Sequence, residues 1–156
     1  MSKLDLVGKY GYFKMVLGMT RIMVEQMPDE QVHFRPTESV RTFSEIATHM
    51  YTFLVEAAET VQRGRHESVA SPELRDRGEL LRYMDEQVTR FFAIFDEMTD
   101  EQLAANVEAY GTSFAGEQFL NFAYDEHWHH RGQLTVYLRM CGIEPVMIYD
   151  YGRVTG

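Results

Sequence analysis

The 156 residues carry 15 Lys and Arg against 24 Asp and Glu, a formal net charge of -9, with 45% hydrophobic and 25% charged residues. Those proportions suit a globular protein, and the length suits one domain over 1–156. The acidic balance, with no basic stripe to offset it, opposes the phosphate attraction on which nucleic-acid binding rests and excludes DNA and RNA as expected partners.

Residues 4–26 place Leu6, Tyr10, Phe13, Leu17 and Val24 at helical spacing along one side, which predicts a first helix. The segment 27–40 holds Pro28 and Pro36 and reads as a connection. Thr42 or Ser44 can cap a second helix over 43–63, with Ile46, Met50, Phe53, Leu54, Ala57 and Val61 as its apolar face and Gly64 as its stop. His49 falls within that face, so it is expected to point into the core. After a loop at 65–72, a third helix over 74–98 repeats Leu81, Met84, Val88, Phe91, Phe92 and Phe95. Thr99 and Asp100 open a short helical turn, 106–114 is expected to be irregular around Gly111, and a fourth helix runs over 115–140 until Gly142 and Pro145 end it. The tail from 143 to 156 is expected to pack as an extended arm. Four amphipathic segments without a period-two pattern predict an all-α four-helix bundle, an architecture that builds sites from inward side chains on facing helices.

The lone Cys141 offers no internal disulfide, the N-terminus lacks the apolar run of a signal peptide, and no stretch reaches the roughly 18 apolar residues of a membrane span. A cytoplasmic protein with no membrane partner is the expectation.

Three of the six histidines lie in the segment Glu126-His127-Trp128-His129-His130. On a helix Glu126 and His130 sit about 40° apart, one turn above the other, on the face that also carries Phe119, Phe122, Ala123, Gln133 and Tyr137. An ionised carboxylate in an apolar core needs a proton, a cation or a metal, and a divalent ion would satisfy Glu126 and His130 together. His49 from the facing helix would complete a three-ligand set with open positions, the arrangement of a catalytic metal. His127, three residues before His130, is the rival third ligand. His129 reads as a residue that orients a ligand, and Gln133 and Tyr137 could face the metal-bound species or hydrogen-bond within the core. Arg131 and Arg139 read as solvated or salt-bridging charge, Trp128 as packing or interface, and His33 and His66 as loop residues without a role.

The string HHRGQLTVYLR at 129–139, with His49 in an apolar helix before it, resembles the DinB/YfiT-like superfamily of metal-dependent enzymes. The resemblance implies a four-helix bundle, often dimeric, holding zinc, nickel or another divalent ion through a His of the second helix and two residues four apart on the last long helix. Most of that family has His where this chain has Glu126. The set His49, Glu126 and His130 is similar to the His, Glu, His order of the mycothiol-dependent maleylpyruvate isomerases. By this resemblance the chain is expected to be a homodimeric metal-dependent enzyme acting on a small-molecule substrate, either a transferase using a low-molecular-weight thiol or a hydrolase. The competing expectation is a non-catalytic metal-binding stress-response protein.

Overall fold

In the computed structural model, which describes residues 2–155, the chain forms a four-helix bundle: α1 (Lys3–Glu25), α2 (Phe43–Arg63), α3 (Arg77–Glu97) and α5 (Gly116–Met140). Between the last two lie a short α4 (Asp100–Ala104) and the strands β1 (Asn106–Ala109) and β2 (Thr112–Ala115), and a single-turn α6 (Gly152–Thr155) ends the described chain. The helices start where side chains satisfy the orphan backbone donors of the first turn: Ser2 with Asp5, Thr42 with Glu45 and Thr99 with Gln102 form reciprocal capping boxes. Gly64 ends α2 in the left-handed conformation at φ 76°, which glycine reaches without a Cβ clash. The core collects Leu6, Tyr10, Phe13, Met50, Leu54, Phe91, Phe119 and Leu134, all buried, and α2 packs most extensively on α5 and α3. Among the described residues no helix is long and apolar enough to cross a membrane.

Three expectations need correction. Residues 106–115 are an antiparallel hairpin in which Val107 pairs with Phe114 and Ala109 with Thr112, leaving Tyr110 and Gly111 as a two-residue turn with φ of 52° and 76°. Two successive positive φ values mark the turn that matches strand twist, and a tyrosine at the first of them hid it from the sequence. The third long helix begins at Arg77, not 74, because Asp76 caps it by accepting the Glu79 N–H at 2.7 Å while Asp29 accepts the Arg77 N–H at 2.8 Å. The C-terminal arm is not wholly extended: α6 sets Val154 against Gly18 of α1, and the Tyr151 and Tyr12 hydroxyls lie 2.8 Å apart.

Candidate metal centre

His49 stands on α2 and Glu126 and His130 on α5, and the packing of those two helices sets one donor atom from each within 4.8 Å of the others. His130 Nε2 lies 2.9 Å and His49 Nε2 3.8 Å from the same Glu126 Oε2, and the two imidazole rings meet edge to face at a centroid distance of 5.0 Å. Glu126 is not in the apolar core as its helical stripe suggested: its side chain is 41% exposed, against 7% for His130, so it forms the solvent side of the cluster.

The hydrogen-bond partners of His130 orient its ring within the cluster. His130 Nδ1 lies 2.8 Å from Gln133 Oε1, a carbonyl oxygen that can only accept, so Nδ1 carries the hydrogen. The Gln133 amide nitrogen points the other way, to His129 Nε2 at 3.5 Å. His130 Nε2 therefore turns its lone pair toward a carboxylate oxygen 2.9 Å away. That separation suits a proton shared between the two groups, and a divalent ion beside them can take the place of that proton. Burial, then Arg41 and His130, push the His49 pKa below its ordinary value and favour the neutral imidazole that a metal needs. A His, Glu, His donor set is one that catalytic zinc uses, and no fourth donor among the described residues joins it. The residues fit a divalent ion with open coordination positions.

The other sequence candidates divide by helix face. His127 points away from the cluster, buried between Phe13 and Tyr51. Thr20 Oγ1 donates to Val16 O at 3.0 Å and accepts the His127 Nε2–H at 2.8 Å. Burial, with Arg131 and His130 adding to it, depresses the His127 pKa to about 3. His129 is exposed, with its ring centre 4.9 Å from that of His130. Tyr137 is buried, and its hydroxyl donates to Arg41 O at 3.0 Å, anchoring the entry to α2. Arg131 is not solvated: it is buried with its guanidinium 4.2 Å from the Trp128 ring centre, and one of its nitrogens has no hydrogen-bond partner.

Three cavities adjoin the cluster, of about 520, 710 and 740 Å3, and Arg41 lines all of them. The Arg41 side chain makes no ion pair or hydrogen bond among the described residues, so its charge faces these openings. The cavity on the Glu126 side also contains Glu56, His66 and Tyr110. Nothing in a Gly-Arg-His-Glu loop marks His66 as a functional residue in the sequence. Its proximity to Glu56 comes from the chain reversing at Gly64. A further cavity of about 410 Å3, between α1, α2 and α3 under Val154, contains no member of the cluster.

The DinB family model matches residues 1–155. The uncharacterised protein YjoA of Bacillus subtilis (strain 168) is 22% identical over 135 residues, which cover 85% of this chain and 88% of YjoA. The crystal structure of YjoA, a DinB-like protein, aligns with a TM-score of 0.68 at 22% identity over 83% of this chain and 92% of its own. A DinB-like protein from Bacillus cereus ATCC 10987 aligns with a TM-score of 0.79 at 20% identity over 92% and 97%. At such identities the two structures speak for the shared bundle. The family match over nearly every residue adds descent to that likeness, and the chain belongs to the DinB family.

Proposed function

We propose that this protein is a metal-dependent enzyme that acts on a small molecule, with zinc or nickel held by His49, Glu126 and His130. The observation that carries the reading is the convergence of one donor atom from each of His49, Glu126 and His130 within 4.8 Å of the others. A divalent ion supplies Lewis-acid polarisation and brings the proton of a water or thiol within reach at neutral pH. The chain's own residues do the rest. His49 and His130 present neutral imidazoles, Gln133 holds the His130 tautomer, and Arg41 offers an unpaired guanidinium to an anionic group of the substrate. A transferase that uses a low-molecular-weight thiol agrees with the family resemblance, and a hydrolase agrees with the same donor set. Cavities reaching the cluster favour turnover over a closed structural site.

The test begins with elemental analysis of protein purified without metal-affinity resin, then calorimetric titration of Zn2+ and Ni2+. One equivalent bound by the wild type, and none by His49→Ala or His130→Ala, is the expected result. Conjugation of a small electrophile with several thiols, beside ester hydrolysis, then separates the two reaction classes. Absence of stoichiometric metal binding sinks the reading.

A further inference from the structure

Across the cavity from the metal donors stands a second ionisable pair. Glu56 comes seven residues after His49 on α2, which places it two turns and about 10 Å along the same face. Its buried carboxylate accepts the Val69 backbone N–H at 2.7 Å through Oε2 and lies 2.6 Å from His66 Nε2 through Oε1. His66 is anchored on the backbone side as well, its N–H donating to Glu108 O of β1 at 2.8 Å. An ionised carboxylate only accepts, so Nε2 carries the hydrogen and Nδ1 keeps its lone pair. Nδ1 has no hydrogen-bond partner among the described residues. Tyr110 covers the ring at a centroid distance of 4.6 Å, and its phenol pKa, raised first by desolvation, is raised further by both Glu56 and Glu126. Tyr110 thus feels both ends of one cavity of about 520 Å3.

We propose that His66 is the general base of the site, oriented by Glu56 as a positioning residue, for a substrate that reaches across the cavity from the metal donors to Nδ1. The proposal rests on the reading of His49, Glu126 and His130 as a metal centre. The substrate's weakly acidic O–H, S–H or C–H bond breaks with both electrons left on the substrate. The proton passes to Nδ1, and the Glu56 carboxylate balances the charge of the imidazolium. A clasp that only held the 65–76 loop would be complete with the Val69 bond and would not need an imidazole with its second nitrogen open. The metal donors are then free to bind without also serving as the base.

The experiment uses the zinc-loaded full chain and a probe with a hydroxamate at one end and a tethered 4-nitrophenol at the other. Hydroxamate binding reports the metal, and nitrophenolate absorbance below the phenol's own pKa reports proton acceptance at the far end. The wild type is expected to lower the bound phenol's pKa by about one unit, a tenfold gain in ionisation. His66→Gln and Glu56→Gln are expected to abolish that gain while zinc and hydroxamate affinities stay within about twofold. In parallel, nitrogen-15 histidine spectra should show Nε2–H and a bare Nδ1 at His66. Glu56→Gln should turn this into the Nδ1–H tautomer, because the glutamine carbonyl stays with the Val69 N–H and its amide nitrogen then donates to His66. Probe that binds without ionising, ionisation that survives His66→Gln, or a wild-type Nδ1–H tautomer overturns the assignment. Failure of zinc to bind sinks the metal reading instead, and leaves the tautomer measurement to judge the dyad.

Discussion

Glu126 and His127 are adjacent in sequence, yet substitutions there should separate metal affinity from stability. Glu126→Gln removes the negative charge and keeps the shape, so a site with three protein donors loses its only anionic one. Zinc affinity should fall about 10- to 1,000-fold, or about 1.4 to 4 kcal/mol. Because Glu126 is 41% exposed, the metal-free variant should unfold within about 0.5 kcal/mol of the wild type. His127→Ala has the opposite signature. It removes a buried ring packed between Phe13 and Tyr51 and leaves Thr20 without its donor, a loss of about 2 to 4 kcal/mol. For a chain of this size, about 3 kcal/mol corresponds to a Tm lower by about 6 to 12 °C. Its zinc affinity should stay within about twofold. The assay pairs urea unfolding in the presence of a chelator with zinc calorimetry in a non-coordinating buffer, at a temperature where both variants are folded. A folded His127→Ala that loses zinc, beside a Glu126→Gln that keeps it, would refute the assignment of helix faces.

Gln133→Leu should weaken zinc about 10- to 100-fold by freeing the His130 tautomer, while Gln133→Glu, which keeps an acceptor, should recover most of that loss in the same calorimetric assay. Stability should fall on acidification between about pH 6.5 and pH 3: His127 is held neutral with its folded pKa near 3, so the unfolded chain binds the extra proton. The loss approaches about 1.4 kcal/mol per pH unit from this residue, and urea midpoints of a His127→Phe variant should show a shallower slope across that window. Gly116→Ala should destabilise by about 1 to 3 kcal/mol in urea unfolding, since an added Cβ would lie 2.4 Å from the Gln102 carbonyl oxygen where α5 meets α4.

The bundle was legible because four segments repeat apolar residues at helical spacing and because Thr42, Gly64 and Gly142 punctuate them. The pairing of Glu126 with His130 was legible for the same reason, since four residues make about one turn. Angular position along one helix says which residues are neighbours but not how deep the face lies. Glu126 accordingly proved partly exposed and Arg131 buried, the reverse of their expected settings. The hairpin escaped notice because its strands are four residues each and the turn begins with tyrosine. His66 escaped because its meaning lies in Glu56, ten residues earlier and brought back only by the chain reversal at Gly64.

The donors and the far wall of the cavity come from different kinds of backbone. His49, Glu126 and His130 sit mid-helix on two packed helices, whereas the far wall takes His66, Ser68, Val69 and Ser71 from the loop after α2 and Tyr110 from the tip of the hairpin. Lengthening either connection by a residue or two would reshape the cavity and leave the helical register of the donors untouched. For an engineer this scaffold separates the candidate metal donors from the shape of the cavity beside them. Libraries confined to residues 67–71 and to the hairpin tip should therefore retain metal binding in most members while sampling different guests.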